Sequence, residues 1–151
     1  MNNKLLLASA LSFALMGCAS TGDESPQGVL AEKPVTEADL MHHNWDLIAI
    51  DGVEITPDNQ ARVPRIEIGE AMNSNGMNGC NNFMGLAELN GDQFRINNML
   101  STMQACAEKD MAIEVTFSRV LSDWSTISLD GNTMTLEGEQ TLLFRLNDWK
   151  Y

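Results

Sequence analysis

Two adjacent histidines, three cysteines and ten methionines are the side chains of this 151-residue chain most suited to chemistry beyond packing. His42 and His43 could act as ligands or bases. Neighbours in sequence, however, point to opposite faces of a strand and diverge by about 100° on a helix, so the two cannot easily hold one ion together. They are also the only histidines, so a Ser–His–Asp or Cys–His system would have to use one of them. No Gly-x-Ser-x-Gly elbow accompanies them. Met77, Cys80 and Met84 are close enough in sequence to suggest a soft Cu(I) site, against which stands the ordinary use of methionine to fill irregular core gaps. The 21 Asp and Glu residues always permit some carboxylate pair, yet none stands in a context that spacing singles out. The expectation is a protein with no catalytic residues, no metal and no cofactor.

Charge narrows the partners. Nine Lys and Arg against 21 acids give a formal net charge of −12. A protein that grips phosphates needs a Lys/Arg-rich face, so no nucleic-acid partner is expected. Polybasic attachment to anionic lipid is excluded for the same reason. The 44 % hydrophobic content supports a core, and the length suits one domain with at most an appendage.

Lys4 precedes an apolar run from Leu5 to Gly17, broken only by Ser9 and Ser12. Such a run fits an export signal and is too short to span a membrane, which takes about 20 residues. It ends Leu15-Met16-Gly17-Cys18, which resembles the lipobox of bacterial lipoproteins. That resemblance implies cleavage before Cys18 and acylation of its sulfur and amine. One acyl chain binds marginally, whereas two or three make attachment effectively permanent. Ala19, rather than Asp, follows the cysteine, which by the same resemblance favours the outer membrane, with the protein on its periplasmic face. Loss of residues 1–17 removes Lys4 and takes the charge to −13. Residues 18–36 then read as the lipidated cysteine and a flexible tether spanning roughly 20–25 Å.

With Cys18 lipidated, Cys80 and Cys106 remain. In an oxidising compartment such a pair is most simply a structural disulfide. A redox pair is the alternative, although no Cys-x-x-Cys lowers one thiol beside another.

These residues need elements to position them. Thr36 followed by Asp39 reads as a capping box opening a helical turn through His43. From Trp45 onward short apolar runs alternate with turn residues. Trp45–Ile50 ends at Asp51-Gly52, and Ile66–Ile68 alternates. Leu86–Leu89 and Phe94–Ile96 flank Asn90-Gly91, while Ile127–Leu129 and Thr133–Leu136 flank Asp130-Gly131. Asn-Gly and Asp-Gly between such runs predict hairpins in which both central residues take positive φ. Ile113, Phe117, Val120, Leu121 and Trp124 fall at offsets 0, 4, 7, 8 and 11, one face of a helix, with Glu108, Asp110, Glu114, Ser118 and Asp123 mostly on the other. The reading is α+β: a curved antiparallel sheet of about seven or eight strands packed around one amphipathic helix.

The centre of the domain reads Asn78-Gly79-Cys80-Asn81-Asn82-Phe83-Met84-Gly85, and Thr102-Met103-Gln104-Ala105-Cys106 precedes the helix. This resembles the META domain, whose signature is Gly-Cys-Asn-x-Phe-x-Gly with a later Thr-x-x-x-Cys. It puts Gly79, Cys80, Asn81, Phe83, Gly85, Thr102 and Cys106 in the family motif and the domain at 37–149. The lipobox, tether, His42-His43 and Asp51-Gly52 resemble the heat-inducible lipoprotein branch of that family. The resemblance implies an envelope location and an association with stress response and novobiocin resistance, and no reaction. Read by residue type, Gly79 and Gly85 bracket a bend, Asn81 and Asn82 suit a turn, and Phe83 plugs the core beside the helix. A ligand-cradling loop is the competing reading.

The functional expectation is therefore a non-enzymatic, monomeric envelope module, held to the membrane by its acyl chains and working through an envelope protein partner or ligand. The alternative is a small-molecule or lipid-binding domain, which would need an apolar pocket of several hundred Å³.

Overall fold

Buried and more exposed positions alternate along most of the strands. The computed structural model describes residues 33–56 and 62–148; the leader, Cys18 and tether residues 19–32 lie outside them. The elements are α1 (Glu37–Leu40), β1 (His43–Ile50), β2 (Val53–Glu54), β3 (Arg65–Ile68), β4 (Asn73–Met77), β5 (Asn82–Asn90), β6 (Gln93–Ser101), α2 (Glu108–Ser122), β7 (Ser125–Asp130), β8 (Thr133–Glu137) and β9 (Thr141–Leu146).

Every described strand pairing is antiparallel, in the order β2-β1-β3-β4-β5-β6-β7-β8-β9. β9 also pairs with β1, from Trp45 opposite Leu146 to Ile50 opposite Leu142. Eight strands thus form a closed ring, and β2 is a short arm on β1. The expected α+β architecture is what the chain adopts, with the curvature of the sheet carried through to closure, which removes most exposed strand edges.

The seam between β6 and β7 is the weakest, with only Gln93 opposite Thr126 and Phe94 opposite Ser125. α2 packs against β6 there. Its Phe117 lies 5.7 Å from the Phe83 ring of β5 and 6.0 Å from the Phe144 ring of β9, two strands that do not pair. Trp45, Leu47, Ile66, Ile68, Phe94, Ile96, Met134, Leu136 and Leu142 complete the core.

Several local expectations need correction. α1 ends at Leu40, and His43 already belongs to β1. The chain is also ordered before Thr36. Lys33 reaches Asp39 at 3.1 Å, and Val35 packs on the core. Val35 and Leu40 occupy the two positions of a hydrophobic staple, which explains why the last residues assigned to the tether join the domain. The hairpins are present, but only the Asp51-Gly52 loop has two positive φ angles, 49° and 75°. In the other two the loop residues are Gly91-Asp92 and Gly131-Asn132, and glycine alone is left-handed. Asn90 and Asp130 close their strands instead, so glycine takes the first central position. Trp124 lies beyond α2 and is 40 % exposed, with Arg95 Cζ 4.4 Å from its ring centroid. The helix stops at Ser122, and the chain then turns into β7 before a further helical turn could bury the indole.

β4 has no apolar run to announce it. Gly76 shows why this segment is nevertheless a strand: a Cβ there would stand 2.0 Å from the Arg65 carbonyl oxygen and 2.9 Å from the Phe83 ring. Gly76→Ala must push β3 from β4, and a loss of about 1–3 kcal/mol is expected in urea unfolding.

Three carboxylates carry an acid dependence. Asp39 is held at about 2, below its ordinary 3.8, by the Thr36 hydroxyl, Lys33 and the Thr36 amide. Asp51 is lowered by the Thr141 amide and then Gln140, and Glu88 by Arg95 and then Asn97. Each has a folded-state pKa below its unfolded value, so its contribution is complete above the unfolded value and is lost as pH falls through the folded one. Between pH of about 4 and 2 the urea midpoint of Asp39→Asn should therefore fall less than that of the wild type.

Candidate functional site

The family-motif residues converge on the loop joining β4 to β5 and on the segment entering α2. The loop is closed by the Asn78 amide, which donates to the Asn81 carbonyl at 2.9 Å. The Asn78 side-chain oxygen accepts from the Cys80 and Asn81 amides at 3.3 and 2.7 Å. This is an Asx-type turn, in which a short side chain replaces a backbone acceptor. Gly79 fits it twice over. Its φ is +108°, and a Cβ would lie 3.2 Å from both the Asp110 carbonyl oxygen and Ile113 Cγ2. At Gly85 a Cβ would lie 2.5 Å from Ile96 Cγ2, so that glycine lets β5 and β6 approach.

Asn81 is the hub. Its oxygen accepts from Thr102 Oγ1 at 2.8 Å and from the Gln104 amide at 2.7 Å. Its Nδ2 donates to the Gln104 carbonyl at 3.3 Å and to both Glu114 oxygens at 3.1 Å. Asn78 Nδ2 donates to Glu114 Oε1 at 3.2 Å and to Ser118 Oγ at 3.3 Å. Both asparagines are buried. Thr102 extends the network, since its Oγ1 also accepts from the Asn82 amide at 3.2 Å. The sulfurs of Cys80 and Cys106 stand at bonding distance, 2.02 Å, with Cα atoms 5.8 Å apart. Phe83 turns inward against Phe117.

Glu114 does not lie on the solvent side of α2 as the helical periodicity predicts: its carboxylate faces the buried amides. The signal was present in the spacing, because Glu114 lies three residues before Phe117 and seven before Leu121, on the border of the buried stripe. The arrangement is a latch. Both asparagine amides are engaged at oxygen and nitrogen, and together they join the loop, the approach to α2 and α2 itself.

The other candidates disperse. His43 Nδ1 lies 2.7 Å from Asp148 Oδ2, which ties β1 to the C-terminal segment. His42 points to Glu70 at 3.6 Å, so the two imidazoles have different partners. Cys80 places its sulfur against Cys106, and Met84 faces outward on β5. Among the described residues no group of three or more His, Cys, Asp or Glu is placed to hold a metal, and no helix is long and apolar enough to cross a membrane.

A closed antiparallel sheet around one helix, with a Gly-Cys-Asn loop fastened to the approach of that helix, defines a small class of domain. The META domain family model matches residues 38–149, and the chain belongs to this family. Within it the chain is HslJ-like: it is 29 % identical to heat shock protein HslJ of Escherichia coli (strain K12) over 141 residues, 92 % of each protein. It is also similar to a protein structure solved by NMR, with 29 % sequence identity, a TM-score of 0.65, and coverage of 74 % of this chain and 94 % of the other. A second NMR structure, from Burkholderia xenovorans, is 22 % identical with a TM-score of 0.60, covering 78 % and 92 %, and shares the fold.

Proposed function

We propose that this protein is an outer-membrane-anchored, periplasmic stress-response lipoprotein of HslJ type that works without catalysis, by contact with another envelope component. The observation that carries the reading is the similarity to a heat shock protein over 92 % of both chains, joined to a lipobox-like Leu15-Met16-Gly17-Cys18. The motif itself supports a structural role, because its asparagines and Thr102 are engaged with one another, with backbone and with Glu114. On this reading Cys80 and Cys106 form a structural disulfide in an oxidising compartment.

The test is cellular. Mass spectrometry of the mature protein should find Cys18 acylated, and Cys18→Ser expressed behind a cleavable secretory signal in place of residues 1–17 should be released into the periplasm. Loss of the gene should raise sensitivity to heat and novobiocin, and Cys18→Ser should fail to restore resistance. Full complementation by the soluble form would remove anchoring from the function. Crosslinking in cells with and without heat stress should capture an envelope protein.

The alternative of an enclosed small-molecule pocket finds less support. Phe94, Phe117, Phe144, Met134 and Leu136 are fully buried and fill the ring. A depression of about 260 Å³ is lined by polar residues such as Asn75 and Glu67, and a second, of about 360 Å³ beside β1, β2 and β9, mixes Leu47, Ile48, Ile55, Val63 and Leu143 with Asp46, Glu54 and Arg145.

A further inference from the structure

The outer face of β3 to β6 carries two adjoining surfaces of different chemistry. One is a polar depression of about 260 Å³ lined by Arg65, Glu67, Asn75 and Asn82, among others. Arg65 and Glu67 are two positions apart on β3, so they share its outer face about 7 Å apart along the strand. Among the described residues Arg65 makes no ion pair. The depression therefore presents one cation and one anion side by side, on a molecule that is otherwise strongly acidic.

The second surface is apolar. Met84 is 62 % exposed and Leu100, directly opposite it on β6, is 68 % exposed. Leu86 follows on the same face of β5 at 41 %, and Met103, just past β6, is 99 % exposed. β6 holds an extra residue between the positions opposite Leu86 and Met84, and Asn98 there has a φ of 52°. This bulge keeps Asn97 and Leu100 on the same outer face, beside Leu86 and Met84. The cross-strand neighbours of the patch are uncharged: Asn75 beside Met84, and Asn73 and Asn97 beside Leu86. Asn75 borders both surfaces, which places the charge pair and the hydrocarbon patch in one continuous strip.

We propose that this strip is a membrane-docking face for zwitterionic phospholipid, on the bilayer to which the protein is tethered. The proposal rests on the anchored reading above. The guanidinium of Arg65 matches a phosphate and the Glu67 carboxylate matches the adjacent ammonium. Met84, Leu86, Leu100 and Met103 enter the interface between headgroups and acyl chains, as exposed apolar patches rimmed by polar groups do. On the anchored reading only residues 19–32 separate Cys18 from the first described residue, so the domain stays beside the bilayer. Net acidity sets the orientation: faces with unpaired carboxylates are repelled by anionic lipid, whereas here Glu67 stands with Arg65, and Asp46, opposite Arg65 on β1, is engaged by Asn147.

Methionine oxidation reads the contact directly, because an exposed thioether becomes a sulfoxide and a lipid-covered one is shielded. The acylated protein is reconstituted in vesicles of phosphatidylethanolamine and phosphatidylcholine, treated with hydrogen peroxide, and compared with Cys18→Ser protein free in solution. Met84 and Met103 should oxidise about tenfold more slowly on vesicles, as burial of several apolar side chains would give. Met111 on α2 should oxidise equally in both, and fully buried Met134 should stay intact as the sign of a folded core. Arg65→Gln should cut the protection severalfold, Leu100→Asp should remove it, and phosphatidylglycerol vesicles should give less. Equal oxidation of Met84 and Met103 on and off vesicles, in protein that floats with the lipid, overturns the proposal. So does protection in solution that grows with protein concentration, which would make the strip a contact between two copies. Equal protection on phosphatidylglycerol overturns the headgroup match. Absence of acylation by mass defeats only the anchoring. The same protein is then mixed with excess vesicles, where protection supports the docking face and its absence overturns it.

Discussion

Asn81→Ala is expected to lower the stability of the folded domain by about 3–4 kcal/mol, the scale for removing a buried group that satisfies several partners. Truncation leaves the Gln104 amide, Thr102 Oγ1 and the half-buried Glu114 carboxylate short of partners in one place. It also disconnects the loop from α2, whose Phe117 stands between β5 and β9. Urea unfolding of the Cys18→Ser protein at neutral pH measures the loss. A change below about 1 kcal/mol would show that the latch is not what holds the loop to the helix. Asn81→Asp separates hydrogen bonding from size. It keeps the shape but sets a second carboxylate against Glu114, 3.1 Å from the position of Nδ2. It should be at least as damaging at neutral pH and should recover in part on acidification, because a protonated acid can donate to its neighbour. An identical deficit at all pH values would point to packing and not to charge.

The second large effect concerns Cys80 and Cys106. The pair spans 26 residues of chain, and closing a loop of that length restrains the unfolded state by about 3.5 kcal/mol on the chain-entropy account. Cys80→Ala with Cys106→Ala should shift the unfolding midpoint accordingly, and dithiothreitol should do the same to the wild type but not to the double variant. Thiol titration of the denatured Cys18→Ser protein, purified without reductant, checks the premise, and two free thiols would refute it. The two effects should not add. Cys80 is next to Asn81 in the loop, and Cys106 lies two residues past Gln104, so a disulfide there and the latch would fasten the same two segments. Combining Asn81→Ala with reduction should therefore cost something other than the sum of the single losses.

Much of this architecture is legible in the chain because it is local. Apolar and polar residues alternate in β3 and β8, β1 and β9 carry short apolar runs, and Asp51-Gly52, Gly91 and Gly131 mark three hairpins. The helix periodicity from Ile113 to Leu121 survives intact. What local pattern could not show has a common cause. β4 reads Asn-Ser-Asn-Gly-Met and becomes a strand because β3 and β5 on either side satisfy its backbone. Trp124 fits the helical stripe by number, but the chain leaves the helix first. Glu114 reads as solvated because a carboxylate on a helix border has no local reason to turn inward; its partners, Asn78 and Asn81, are 36 and 33 residues away.

The amino-acid order by itself determined the class of fold, where the hairpins fall, the apolar stripe from Ile113 to Leu121 and the cysteines that could pair, since each depends on a period, a dihedral preference or a residue count. The META motif was equally readable as a string. Tertiary structure alone decided what the motif does. It closed β9 onto β1, drew Glu114 to the two buried amides, and set Glu67, Asn75, Met84 and Leu100 in one cross-strand row on the outer face. The reason is physical: a buried amide or an exposed methionine acquires meaning from neighbours that only chain closure brings within hydrogen-bonding or packing distance.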